Sequence, residues 1–144
     1  MSEVVQSAEE TIQDFKDAFL FLEEWTEKYG YLIDLGRKLP DFPEELKIDD
    51  NLMQGCQSRV WLLSYMENDK LRFKAASDAM IVSGLIALIL AVFDNRTPKE
   101  IIAVDTGFLD DLGLSSHLSP SRSNGLHSLV QHVLVAAKYQ ISQN

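Results

Sequence analysis

The feature that most limits the fold is a strongly apolar run at residues 79–93, interrupted only by Ser83 and Gly84. Apolar residues occur on nearly every side of a helix with this sequence, so the helix should be buried all round. The run is too short to span a bilayer. It therefore predicts the central buried helix of a globular domain, with Ser77 and Asp78 capping its start.

Two short runs before this helix have the pattern of strands, at residues 60–65 and 71–75. In the second run, Leu71, Phe73 and Ala75 alternate with two basic residues, as they do in a half-buried strand. The polar residues 67–70 lie between the runs and predict the turn of an antiparallel hairpin. The segment before Cys56 can add an edge strand, and Trp61 is expected in the core.

Helical spacing dominates the rest of the chain. Apolar residues recur from about Thr11 to Lys38, with a break expected near Glu23-Glu24 or at Gly30, and an acidic connector follows at 41–50. Short helices are predicted from Thr97-Pro98 and over residues 108–112, and a last helix from Ser119-Pro120 to about Tyr139. His117 falls in a serine-rich loop. The sum is an α+β domain of residues 1–144, a small antiparallel sheet packed against several helices.

Charge and cysteine content restrict the function. The net charge is −9, from 22 acidic and 13 basic residues, and such a surface repels phosphate backbones, so no nucleic acid is expected as a partner. One cysteine allows no internal disulfide. The N-terminus has no basic region followed by an apolar core, so we expect a cytoplasmic protein in a reducing compartment, with no membrane attachment.

Common cofactor sites have no support in the sequence. One cysteine cannot form a cysteine-rich zinc or iron–sulfur site, and His127 and His132 are five residues apart on a helix and point in different directions. Neither of the glycine-rich phosphate-binding motifs occurs. Adjacent acidic pairs fall on polar segments typical of solvated surface. No metal and no cofactor are therefore expected.

Cys56 remains as the candidate reactive group. It lies beside Gly55 and among polar residues, Gln57 and Ser58, where a loop leads into a strand. A lone cysteine can be an inert buried residue, a hydrolase nucleophile with His117 or His127 as its base, or a sulfur carrier that reacts by thiol exchange. A carrier benefits from having no second thiol, which would release the sulfur and close a disulfide. Composition permits this interpretation without selecting it.

Four sequence blocks carry a family resemblance. They are LGRKLP at 35–40, GCQSRVW at 55–61, SDAMIVSGL at 77–85 and LSPSRSNGL at 118–126. In this order and at this spacing, the chain resembles the SufE/CsdE-type sulfur acceptors. The resemblance covers about residues 25–137 of a single sulfur-acceptor domain and leaves residues 1–24 as an N-terminal helical extension.

The resemblance implies a fold related to the IscU-type scaffolds and a sulfur-acceptor function at Cys56. Such proteins take persulfide sulfur from a PLP-dependent cysteine desulfurase of the SufS or CsdA type and stimulate it. They deliver sulfur for iron–sulfur cluster assembly, to a scaffold or another acceptor. The PLP belongs to the partner, so no cofactor and no independent catalysis are expected here. The alternative is a regulatory binding module of the desulfurase that carries no sulfur.

The resemblance also directs attention to the residues around Cys56. Gly55, Gln57 and Ser58 are expected to support the cysteine loop and let it move between a sheltered and an extended position. Arg122 either faces this loop, favouring a thiolate or persulfide anion, or is a surface residue at a helix start. Asp78 either contacts the partner or caps its helix, and capping is the preferred interpretation.

Overall fold

The computed structural model describes residues 6–53 and 58–143 of the 144-residue chain. Within these ranges a two-stranded antiparallel sheet packs with seven α-helices, which confirms the predicted α+β class. The elements in chain order are α1 (Ala8–Phe21), α2 (Trp25–Arg37), β1 (Val60–Glu67), β2 (Lys70–Ser77), α3 (Met80–Phe93), α4 (Pro98–Ala103), α5 (Phe108–Asp111), α6 (Leu114–His117) and α7 (Pro120–Ser142). Short 3₁₀ turns at Glu44–Leu46 and Asp49–Asn51 lie in the acidic connector.

Helix α3 forms the centre of the core, as its apolar sequence predicts. Leu88, Ile89, Val92 and Phe93 are fully buried, and α3 packs against α1, α2, α7 and β2. Because helices cover it on several sides, α3 needs apolar side chains around most of its circumference. The elements that carry the candidate site therefore pack against one buried helix.

The start of α3 differs from the prediction. The helix begins at Met80, with Ala79 as an extended N-cap residue, and no side chain caps it. The Ser77 hydroxyl accepts a hydrogen bond from the Ala79 backbone N–H, which precedes the helix. The Asp78 carboxylate instead accepts one from the Arg59 side chain at 3.1 Å. The prediction that Ser77 and Asp78 cap α3 is wrong, because both side chains bond to groups outside the helix.

The predicted hairpin is confirmed, with longer strands than expected. β1 and β2 pair without interruption from Val60 opposite Ser77 to Glu67 opposite Lys70. Asn68 and Asp69 form the turn with φ angles of 52° and 68°. Short polar side chains tolerate this left-handed region, which matches the twist of the paired strands.

The sheet has one buried face, supplied chiefly by β2. Leu71, Phe73 and Ala75 are buried, and the intervening residues are half-buried, so the predicted alternation is confirmed. The edge strand expected before Cys56 is reduced, in the described part of that segment, to one bridge between Leu52 and Trp61. There the Met53 backbone N–H donates to the Val60 carbonyl at 2.8 Å.

The two N-terminal helices separate at Glu23-Glu24, which confirms one of the two predicted break positions. Helix α1 starts at Ala8, earlier than predicted, because Ser7 and Glu10 form a reciprocal capping box. Buried side chains of α1, Ile12 and Phe15 among them, belong to the same apolar cluster as α3. The N-terminal helix is thus packed onto the central helix.

The C-terminal part contains one helix that the sequence did not indicate. The expected serine-rich loop around His117 is wrong, because residues Leu114–His117 form the single turn of α6. Gly113, with φ of 78°, allows the sharp entry to this turn. The predicted starts of α4 at Thr97-Pro98 and α7 at Ser119-Pro120 are confirmed.

Arg96 is buried and ties distant parts of the chain together. Its side chain donates to the carbonyls of Val92 and Gln6 and to the Thr11 hydroxyl. Its backbone carbonyl accepts from the Leu71 N–H of β2 at 2.8 Å. One residue thereby joins the end of α3, the start of α1 and the sheet.

In the described ranges, no helix combines the length and apolar character needed to cross a membrane.

Candidate functional site

Three of the predicted site residues, Cys56, Gly55 and Gln57, lie outside the described residues. The residues on either side of this segment, Met53 and Ser58, are described. Met53 is buried and Ser58 is half-buried. The geometry at both ends of the cysteine segment is therefore known.

Met53 and Ser58 line the same cavity, whose volume is about 410 Å³. Besides Met53, its apolar lining comes from β1, α3 and α7 and comprises Val60, Val82, Leu85, Ile86, Leu126 and Leu129. Positions three and four apart on a helix lie on one face, which explains why these α3 and α7 residues face the same space. The cavity is thus a space between two helices next to both ends of the cysteine segment.

Arg122 is the charged residue among the described lining residues. It lies one helical turn before Leu126 on α7, so the two share a helix face. Its side chain forms no ion pair with any described residue, and the residue is exposed. Ser119 and Ser121 line the same end of the cavity, and the Ser119 hydroxyl caps α7. This end therefore carries a cation and two hydroxyl groups.

The sequence placed Ser58 and Arg122 near the cysteine, and the structure brings these two together in one cavity. Asp78 is elsewhere, in an ion pair with Arg59 whose side chains are 46% and 66% exposed, respectively. An exposed pair of this kind contributes about 0–1 kcal/mol to stability. The Arg59 guanidinium also lies over the Trp61 ring, 5.2 Å from its centre. Trp61 is buried, which confirms its predicted place in the core.

The ion pair between Arg59 and Asp78 connects the residue just before β1 to the loop just before α3. Lys47 contacts the Trp61 ring as well, 5.5 Å from its centre. Arg59 follows Ser58 directly, so these exposed contacts lie where the cysteine segment ends. Sequence reasoning did not single out Arg59, because its ion-pair partner Asp78 is 19 residues away in the chain.

His117 and His127 contact neighbouring groups of the fold. The ring of His117 stacks on Trp25 with 4.0 Å between ring centres, and its Nδ1 bonds to the Gly113 carbonyl at 3.0 Å. The His127 Nε2 is 3.4 Å from the Ser115 hydroxyl. None of the three histidines is among the described lining residues of the cavity. Across residues 6–53 and 58–143, no group of three or more His, Cys, Asp or Glu side chains could hold a metal ion.

The cavity has apolar walls and a cationic end, and this combination determines which chemistry it allows. Apolar walls lower the dielectric between the helices, whereas Arg122 at the end of the cavity is exposed and its charge is partly screened by water. An anion near Arg122 is stabilised by the guanidinium charge and by the positive end of α7. Sequence reasoning missed the apolar lining residues Met53, Val82 and Leu129. The helical spacing of Val82 and Leu129 indicated burial but not that a cavity would lie between α3 and α7, and Met53 lies outside the helices.

Comparisons with known proteins agree on one family. A family model described as "SufE: Fe-S metabolism associated domain" matches residues 13–137. A SufE-like protein of Rhizobium meliloti (strain 1021) is 41% identical over 122 residues, which cover 81% of this chain and 87% of the relative. The sulfur acceptor protein CsdE of Escherichia coli (strain K12) is 38% identical over 130 residues, covering 89% of this chain and 88% of CsdE.

A comparison of structures supports the fold. The solution structure of a hypothetical protein from Thermus thermophilus superimposes with a TM-score of 0.74 and 18% sequence identity. The match covers 97% of this chain and 99% of the other. At this identity, the likeness concerns the fold alone.

Proposed function

Because this chain belongs to the SufE family, we propose that it is a sulfur acceptor that carries persulfide sulfur on Cys56 for iron–sulfur metabolism. The observation that carries this proposal is the 38% identity to the sulfur acceptor CsdE over 89% of the chain. The chain also contains a single thiol, so Cys56 is the one residue able to form a persulfide.

The proposed reaction is a thiol exchange. The Cys56 thiolate attacks the outer sulfur of a persulfide on the donor enzyme. A new S–S bond forms at Cys56, the S–S bond in the donor persulfide breaks, and the donor cysteine leaves as a thiolate. No oxidant or reductant is needed, because the sulfur moves without a net change of oxidation state. Cys56 ends the step as a persulfide.

The cavity beside the cysteine segment supports this reaction in two ways. A persulfide is an anion at neutral pH and is readily oxidised or reduced when other reagents reach it. Apolar residues such as Val82 and Leu85 would keep water and oxidants away from it. Arg122 would stabilise the thiolate before transfer and the persulfide anion afterwards. Gly55 and Gln57 would let Cys56 leave this shelter to reach a partner.

The proposed donor is a PLP-dependent cysteine desulfurase of the SufS or CsdA type, which this protein also stimulates by removing sulfur from its active site. The PLP stays with the desulfurase. The sulfur then passes to an iron–sulfur scaffold or to another acceptor. A lone thiol stays reduced in the cytoplasm, which is the proposed compartment.

Substituting Cys56 tests the carrier function directly. After incubation with desulfurase and cysteine, intact-mass measurement should show that the wild type gains about one sulfur atom by exchange. Cys56→Ser should gain none and keep a wild-type circular dichroism spectrum. Ser64→Ala, which alters an exposed hydroxyl on β1 outside the cavity lining, serves as the matched control and should gain sulfur normally.

Two outcomes would count against this assignment. Sulfur gain by Cys56→Ser would place the acceptor at another residue. A wild-type protein that stimulates the desulfurase but never gains sulfur would instead be a regulatory binding module. In a separate measurement, the pH midpoint of Cys56 alkylation by iodoacetamide should rise in Arg122→Ala, because a nearby cation favours the thiolate. An unchanged midpoint would remove Arg122 from the proposed mechanism.

A further inference from the structure

We propose that the outer face of α7 is a homodimer interface, on which α7 of a second copy of this chain packs antiparallel. The outer face is exposed, and its members recur every three or four positions along the helix; they are Gln131, Val135, Tyr139 and Ser142. Leu126 and Leu129, on the other side of α7, are buried and line the cavity beside the cysteine segment. The proposed interface therefore leaves that cavity free and does not depend on sulfur transfer.

Two apolar side chains on the outer face are open to water. Val135 is 62% exposed and Tyr139, one helical turn further on, is 59% exposed. They belong to a helix of 23 residues, which is about 35 Å long and offers a continuous surface to a second helix. Covering the two side chains with apolar atoms of a partner removes apolar surface from water, which favours association.

The distribution of charge favours a second copy as the partner. All 22 acidic residues precede Leu112, and the sequence from Leu112 onward carries two basic residues, Arg122 and Lys138. Two copies that each have a net charge of −9 repel one another. Because α7 contains no acidic residue, a contact between two α7 helices brings no carboxylates together. The outer face of α7 is therefore a surface on which two acidic chains can meet.

Antiparallel packing about a twofold axis at Val135 matches the side chains of the two helices. In such a pair the numbers of facing residues have a constant sum, so Val135 faces Val135 of the partner subunit and Gln131 faces Tyr139 of the partner subunit. An amide and a phenolic hydroxyl are complementary hydrogen-bonding groups. A contact made by one helix from each copy is small, below about 1,200 Å² in total. The dimer should therefore be weak, with a Kd on the order of 0.1 mM.

Sedimentation velocity of the full chain tests this interface under reducing conditions, in which a disulfide between two Cys56 thiols cannot mimic the dimer. Between about 10 µM and about 1 mM, the wild-type protein should pass from monomer to dimer. Raising NaCl from about 0.15 M to about 0.5 M should strengthen the dimer, because salt screens the repulsion between the acidic chains. Val135→Glu and Val135→Lys should each weaken the dimer at least about tenfold, because like charges then meet at the axis. An equal mixture of these two variants should form a dimer again.

Leu20→Glu is the matched control, because Leu20 is 80% exposed on α1 and the variant makes the same apolar-to-acidic change away from α7. It should dimerise like the wild type. A wild-type chain that stays monomeric at about 1 mM would overturn the proposal and leave the face to a different protein. A dimer that Val135→Glu leaves intact would lie on another surface and would overturn it as well. If the mixed Val135 variants stayed monomeric, the antiparallel pairing would be wrong. No desulfurase takes part, so failure of sulfur transfer and failure of this interface are distinguishable.

Discussion

Replacing Gly84 with alanine should push α2 and α3 apart and destabilise the whole domain. The two helices pack closely where Gly84 of α3 meets Leu32 and Gly36 of α2. A Cβ atom at Gly84 would lie 2.5 Å from the Leu32 carbonyl carbon and 3.0 Å from its Cβ, and it would press on the Leu32 carbonyl oxygen. Backbone atoms cannot rotate away as a flexible side chain can, so the helices themselves must move.

The size of the effect follows from the required movement. Non-bonded carbon atoms prefer a separation of about 3.5 Å, so the helices must separate locally by about 1 Å. Overfilling a packed core usually costs about 1–3 kcal/mol, and a backbone contact beside the fully buried Leu32 belongs at the upper end or beyond. Alanine regains about 1 kcal/mol in helix propensity. The net loss should be about 2–3 kcal/mol, or about 6–12 °C in Tm.

Gly30→Ala on α2 is the matched control for this substitution. A Cβ atom at Gly30 meets nothing within 4 Å, so only the propensity gain remains and stability should rise by up to about 1 kcal/mol. Urea unfolding followed by circular dichroism at 222 nm measures both variants. If Gly84→Ala were as stable as Gly30→Ala, the close helix contact would not be a constraint on the native state and the reasoning would be wrong.

Two further substitutions test other parts of the fold by the same urea measurement. Arg96→Met should cost about 3 kcal/mol, because it removes charged donors from the buried Val92 carbonyl and from the partly buried bond to the Gln6 carbonyl; a loss as small as that of the exposed Arg37→Met would contradict this role. Thr97→Val should cost about 1 kcal/mol at pH 7 by removing the α4 cap. The Thr97 hydroxyl also donates to the Glu100 carboxylate and lowers the Glu100 pKa from 4.5, so this part of the contribution is present above pH 4.5 and is lost as pH falls through the lowered value, whereas the Glu100 N–H bond to the hydroxyl does not titrate. A Thr97→Val difference that is the same at pH 3 and pH 7 would refute the contribution of the hydroxyl–carboxylate hydrogen bond.

Part of the candidate site could be predicted from the sequence. The lone cysteine, its polar neighbours and the block containing Arg122 can all be recognised in the sequence, and together they indicate where the site lies. The sequence did not show that Ser58 and Arg122 share a cavity, because they are more than sixty residues apart in the chain. It also assigned Asp78 to a helix cap, although Arg59 competes for the same carboxylate.

Features that depend on neighbours within a few residues could be inferred from the amino-acid order alone. These are the hairpin turn at Asn68-Asp69, the capped start of α4, the alternation along β2 and the uniformly apolar α3. The cavity between α3 and α7, the burial of Arg96 and the partner of Asp78 required the folded chain. Helical periodicity and turn preferences act locally and can be read along the chain, whereas a cavity or an ion pair depends on which distant surfaces meet.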